Sequence, residues 1–334
     1  MKDNEFNKYS IHTDIALELI EDEENIKGIK VNKRKIDNIV ITNVTVNKEG
    51  SSKINKKEGK YITIEFSELN DDNKEIISNL LLTELKKILN IKNKQEHILI
   101  VGLGNESSTP DSLGPLTINN INVTNHLYEL GMVDNVQRVS AFNPNVMGKT
   151  GIETSDLLLN LVSLLKPDYI IVIDSLASSS IERVNKTIQM TDTGIHPGSG
   201  IGNKRKEISK EIFGIPVIAI GVPTVVDAVT IVADTFKFLT KHYIYMKKNI
   251  DNPKLKLMTC SNYLEEEIIV SEDDKKSLLG LIGYLSEEEV KILVEDVLSP
   301  IGYNLIVTPK EIDYIVKELS ILIANTLNKI IKND

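Results

Sequence analysis

Two aspartates occupy positions where a chain of this kind could do acid–base chemistry. Thr109-Pro110-Asp111-Ser112-Leu113-Gly114-Pro115 sets a carboxylate in a polar loop just after a glycine-bearing apolar run, and Ile171-Val172-Ile173-Asp174-Ser175 sets another where an apolar run stops. In open α/β sheets the C-terminal strand ends line the functional crevice. Two carboxylates converging there share one proton, because repulsion raises one pKa while the other group stays ionised. The ionised partner takes a proton from water, and the neutral one protonates a carbonyl or a leaving amine. The competing reading is that Asp111 and Asp174 only cap helices, since aspartate after a strand is a favoured helix start. A third segment adds to the first reading. Thr13-Asp14-Ile15-Ala16-Leu17-Glu18 runs acidic, large apolar, small, apolar, acidic, as a protease substrate segment would. A chain that carries such a segment and two candidate acids has the make-up of a self-processing zymogen.

Other constellations are less specific. Asp192-Thr193-Gly194-Ile195-His196-Pro197-Gly198-Ser199-Gly200-Ile201-Gly202 carries the Asp-Thr-Gly triplet of pepsin-like proteases, but those enzymes are β-rich and need the triplet twice. Its glycines permit close backbone approach, so His196, Gly198, Ser199 and Gly200 are candidates for a substrate-binding loop. A phosphate cradle fails on spacing, because Asn203-Lys204-Arg205-Lys206 does not complete a GxxxxGK[ST] pattern. Gly102-Leu103-Gly104 is only the first half of a dinucleotide fingerprint. His196 could join Asp111 and Asp174 around a metal, although a lone histidine is more often structural; the expectation is no metal and no cofactor. The single cysteine, Cys260, rules out an internal disulfide and reads as a passive thiol.

The elements that position these residues follow from patterning. Ile39, Ile41, Val44, Val46, Ile62, Ile64 and Phe66 alternate as strands do and suggest a small β-rich lobe over 28–67. Ile77, Leu81, Leu85 and Ile88 share a helix face. Continuous apolar runs at 97–104, 169–173 and 215–220 suit strands buried on both faces. Helices are expected around 115–130, from a Thr150/Glu153 capping box, and from Thr224 to about Tyr243. The alternation predicts a three-layer α/β/α fold with a mostly parallel sheet. Residues 248–270 read as a connecting loop. Ser286/Glu289 and Thr308-Pro309-Lys310-Glu311 open C-terminal helices, the second with an apolar stripe from Ile312 to Ile330. Residues 1–27 are polar and acidic and read as an exposed arm. The working division is an arm of 1–14 followed by 15–334, comprising the lobe, an α/β core over 73–247 and C-terminal helices over 271–334.

With 334 residues, 41% hydrophobic and 26% charged, the composition is that of a globular chain with room for a large core. A formal net charge of −9 with no tryptophan argues against direct nucleic-acid binding. No signal-peptide core or membrane-length apolar run is present, so the expected location is intracellular.

The chain also resembles the germination proteases of spore-forming bacteria over nearly its whole length. The blocks that carry the resemblance include Val101-Gly102-Leu103-Gly104-Asn105, Thr109–Pro115, Val146–Asp156, Ser180–Asn185 and Gly194–Ser209. The resemblance implies an atypical aspartic endopeptidase with a fold similar to hydrogenase-maturation proteases. Such enzymes are made as inactive precursors, usually tetrameric, and degrade small acid-soluble spore proteins in the spore core during germination. The family cuts after an acidic residue that precedes a large apolar residue and alanine, which implies self-cleavage between Asp14 and Ile15. Its two catalytic aspartates fall on Asp111 and Asp174. His12 stands where family members often carry arginine. Two rival functions are a metal-dependent maturation peptidase and a nucleotide- or phosphate-binding module.

Overall fold

The computed structural model describes residues 13–20, 26–133, 135–198, 205–251, 268–298 and 305–332. The expected loop at 248–270 falls largely outside them, as do His12, Ser199, Gly200 and Cys260. Strands are β1 (Ile29–Ile36), β2 (Ile39–Val46), β3 (Gly59–Glu65), β4 (His97–Gly102), β5 (Arg138–Phe142), β6 (Tyr169–Ser178), β7 (Thr187–Thr191) and β8 (Val217–Asp227). Helices are α1 (Lys48–Ile54), α2 (Asp71–Leu89), α3 (Leu113–Ile118), α4 (Asn125–Glu129), α5 (Met147–Thr150), α6 (Thr154–Leu165), α7 (Lys210–Phe213), α8 (Ala228–Lys248), α9 (Glu272–Leu279), α10 (Glu287–Leu298) and α11 (Ile312–Lys332).

The described residues of 11–226 and 308–334 form one compact unit, and those of 227–307 a second. In the first, the strands lie in the order β1-β2-β3-β7-β8-β6-β4-β5. The pairs β8–β6, β6–β4 and β4–β5 are parallel, and the remaining pairs are antiparallel. The β-rich stretch therefore extends the same sheet, joined through β3 and β7.

Successive strand residues point to opposite faces, and this separates two helical layers. Ile98, Ile100, Ile171, Ile173, Ile218 and Ile220 pack toward α2, α3 and α11. Leu99, Val101, Ile170 and Val172 pack with Leu158 of α6 and Phe213 of α7 on the other face. The expected α/β/α layering and the doubly buried apolar runs are borne out. The same alternation explains the change of parity in β2. Ile39 and Ile41 join the α2 side, whereas Val44 and Val46 join a cluster on the opposite face.

Helix α2 buries Ile77, Leu81, Leu85 and Leu89, and Asn70 and Asn73 cap its start reciprocally. The stripe along α11 is buried as expected, with Val316, Leu319 and Ile323 at the bottom of the core. Three expected helix starts differ. Thr150 ends α5, and α6 begins at Thr154 with no side-chain cap from Glu153. Thr224 lies inside β8, and Asp227 caps α8 instead by accepting from Val229 N. The segment 115–130 forms two short helices, α3 and α4, because Asn119 through Val123 supply no continuing apolar face. The second unit contains α8, α9 and α10, and the Ser286/Glu289 capping box at α10 is present. Among the described residues no helix is long and apolar enough to cross a membrane.

Candidate active site

The site lies where β4 leaves the sheet. Pairing of β4 with β6 ends at Gly102 and Ile173, so Asp174 is the first residue of β6 beyond its neighbour. Asp174 does not end its strand as expected, because β6 runs on to Ser178 against β8, with a bulge after Leu176. Asp174 is 5% exposed, and its side chain accepts from Ser175 N at 2.9 Å.

Asp111 is carried to this place by a tightly pinned loop. Leu103 N donates to Ile173 O at 2.8 Å, and Gly104 then adopts φ +117. A Cβ at Gly104 would sit 2.0 Å from Asp111 O, so only glycine lets the loop close. Asn105 N donates to Asp111 O and Asp111 N donates to Ser108 O, both at 2.8 Å. Thr224 Oγ1 holds Pro110 O at 2.6 Å. The helix-capping reading fails for both aspartates: α3 has no side-chain N-cap bond, and Asp174 lies within a strand.

The electrostatics couple the two groups. Burial pushes the Asp111 carboxyl up to about 6, against an opposing backbone N–H from Asn105. Asp174 is raised well above the ordinary carboxylate range, first by burial, then by the charges of Asp111 and Asp14. Burial and the neighbouring negative charges thus both favour the protonated form of Asp174.

Asp14 belongs to the segment expected to be an exposed arm, and its described part is not one. Ile15 and Ala16 are fully buried, and Leu17 and Ile20 nearly so, in a cluster with Val44, Val46, Ile54, Tyr61 and Leu176. The apolar residues form a single turn over Ala16–Leu19, too short to show periodicity inside a polar stretch. Asp14 N donates to Ala177 O at 3.0 Å, and Ala177 N donates to Asp14 Oδ2 at 2.9 Å. Glu18 accepts from Ser179 N and Ser179 Oγ at 2.8 Å each, and also from Ser178 Oγ and Thr13 Oγ1. Arg183 approaches Glu18 at 3.6 Å.

Two residues that sequence patterning did not single out complete the arrangement. Asn55, in the left-handed conformation, ends α1, and Lys56 follows with its Nζ donating to Thr13 O at 3.1 Å and to Asp14 O at 3.3 Å. Burial pulls the Lys56 ammonium down, opposed by the charges of Asp14 and Glu18. Gln189 of β7 donates from Nε2 to Asp14 O at 3.0 Å and accepts from Ala16 N at 2.8 Å. Neither carries a motif; the turn after α1 and the placing of β7 in the sheet bring them to the docked segment.

His196 sits apart from the aspartate pair in chemical terms. Its Nε2 lies 3.5 Å from Glu207, which also pairs with Lys57. Gly198 has φ +71, and Ser199 and Gly200 lie outside the described residues. Asp192 of the Asp-Thr-Gly triplet accepts from Lys60 N at 2.7 Å, at the end of the β3–β7 ladder. Gly102 lets α3 approach: a Cβ there would meet Gly114 O at 2.3 Å, which accounts for the partial dinucleotide pattern as packing. Among the described residues no group of three or more His, Cys, Asp or Glu is arranged to hold a metal.

A family model described as germination protease matches residues 9–334. The germination protease of Geobacillus sp. (strain WCH70) is 45% identical over 346 residues, covering 96% of this chain and 93% of the relative. The chain belongs to the germination protease family. The germination protease of Bacillus thuringiensis subsp. konkukian (strain 97-27) is 43% identical, covering 97% of this chain and 94% of its own. A solved hydrogenase maturation protease, HycI from Thermococcus kodakarensis KOD1, is similar over 42% of this chain and 80% of its own, with 18% identity and a TM-score of 0.28. As a member of the germination protease family the chain is a peptidase.

Proposed function

We propose that this chain is an aspartic endopeptidase zymogen that cuts small acid-soluble spore proteins during germination and first cuts itself between Asp14 and Ile15. The observation that carries the reading is the docking of Asp14-Ile15-Ala16 beside Asp174, within reach of its charge and bonded to the strand that bears it. An acidic residue followed by a large apolar one and alanine is the sequence the family relationship implies for substrates. The docked segment thus fills the place a substrate would take.

In the proposed reaction a water molecule lies between the two carboxyl groups. Ionised Asp111 takes a proton from it, and its oxygen attacks the Asp14 carbonyl carbon. Protonated Asp174 then gives its proton to the Ile15 nitrogen as the C–N bond breaks. The cut releases residues 1–14 as a propeptide, and with them the contacts of Thr13 and Asp14 to Ala177, Lys56 and Gln189. The His196–Gly198 stretch would face longer substrates. No step calls for a cofactor or metal. The working form is proposed to be a homotetramer in the spore core.

The test is the intact mass of the full-length chain before and after incubation at mildly acidic pH, with Asp111→Asn and Asp174→Asn beside it. Loss of residues 1–14 in the unsubstituted chain alone is expected. Normal cleavage in either variant, or cleavage at another bond, would overturn the assignment.

A further inference from the structure

One carbonyl oxygen in the docked segment is gripped by two side chains, one from strand β7 and one from the turn after α1. Gln189, 5% exposed in β7, spans the Asp14–Ile15 peptide: its Oε1 accepts from Ala16 N at 2.8 Å and its Nε2 donates to Asp14 O at 3.0 Å. The orientation of this amide is determined by its neighbours. Ala16 N–H can only donate, so Oε1 faces it and Nε2 faces the Asp14 oxygen. Lys56 Nζ reaches the same oxygen at 3.3 Å from the turn after α1, with a second bond to Thr13 O at 3.1 Å. The Asp14 oxygen thereby accepts from two side-chain donors.

We infer that Gln189 and Lys56 are catalytic residues that polarise the Asp14 carbonyl and stabilise the negative charge on its oxygen while the Asp14–Ile15 bond is cut. The inference rests on the proposed cleavage at that bond. Attack by water turns the planar carbonyl carbon tetrahedral and moves charge onto the oxygen. Donors already aimed at that atom, in a site largely closed to water, need no reorganisation when the charge appears. In the proposed reaction Asp111 and Asp174 move protons, and the clamp acts on the carbonyl oxygen itself. A substrate docked in place of residues 13–18 would present its own carbonyl to the same two groups.

The test is the first-order rate of self-processing of the full chain, read by intact mass, in Gln189→Glu and Lys56→Met. Glu keeps the acceptor for Ala16 N–H and removes the donor, and Met keeps the apolar stem of lysine. Each rate is expected to fall about 10²- to 10³-fold. Amide exchange at Asp14 should stay as slow as in the unsubstituted chain, because burial of Ile15, Ala16 and Leu17 still docks the segment. Lys56→Arg, which retains a cationic donor, is expected to recover most of the rate. Unchanged rates overturn the inference, and so does slowing that appears only with faster exchange at Asp14, which would make the pair holding residues. Asp111→Asn and Asp174→Asn run in parallel separate the two proposals. If both are inert while Gln189→Glu and Lys56→Met process normally, the clamp alone falls. If either aspartate variant processes normally, the proposed carboxylate mechanism falls.

Discussion

At the residue scale, burial raises the pKa of both Asp111 and Asp174, the two groups proposed as base and acid. Burial pushes the Asp111 carboxyl up to about 6 and raises Asp174 as well, so processing by the proposed mechanism should follow a bell-shaped pH profile. The acid limb is expected near pH 6, where Asp111 takes up its proton, and the alkaline limb where Asp174 loses its own. Processing rates measured across that range check both. The same burial has a stability consequence. A carboxyl whose folded pKa is raised favours the folded state less as pH climbs from its ordinary value through the raised one. For Asp111 that window runs from 3.8 to about 6 and corresponds to about 3 kcal/mol. Asp111→Asn is therefore expected to gain about 3 kcal/mol of unfolding free energy at pH 8 and almost none at pH 4, read by urea titration. Gly104→Ala should abolish processing, since its Cβ would displace Asp111 O from 2.0 Å away. An unchanged processing rate in that variant would show that the loop tolerates the shift.

At the element scale, the segment 13–20 behaves as part of the core rather than as an arm. Its anchor is Glu18, whose side chain is 2% exposed and surrounded by Ser178, Ser179 and Arg183. Removing the arginine leaves a buried carboxylate with fewer compensating charges, a change that commonly costs about 3–5 kcal/mol. Arg183→Ala is expected to lose stability in that range and to slow processing, whereas Glu18→Gln should disturb stability less. Chemical denaturation of the two variants distinguishes them. On the other face of the sheet, Leu81 of α2 is fully buried among strand and α11 side chains. Leu81→Ala should cost about 2–5 kcal/mol through lost burial and the cavity left behind. Its processing rate in the folded state should stay near normal, because α2 packs on the face opposite the docked segment.

At the scale of the whole molecule, the proposed homotetramer predicts a solution mass of four 37.3 kDa chains by sedimentation equilibrium, and a monomeric mass would refute it. Much of this protein was legible in its sequence. Doubly buried apolar runs, the alternation of strand and helix patterns, the stripe on α11 and the Ser286/Glu289 box all follow from local periodicity, which reports burial directly. Asp111 and Asp174 were visible as carboxylates next to strand ends, and the acidic–apolar–alanine segment was visible as a pattern. Helix starts were read less well, because Thr150 and Thr224 satisfy the same local rules as true caps while tertiary pairing assigns them to a helix end and a strand. Sequence periodicity also could not reveal that Ile15, Ala16 and Leu17 are core. One turn of apolar residues carries too little pattern to stand out from its polar flanks. Only the fold brought Lys56 and Gln189, from a turn and a strand far apart in the chain, onto one carbonyl oxygen. Chain composition specifies which segments bury themselves, but convergence of polar groups on one atom depends on strand order, and that is decided by the packing of the whole sheet.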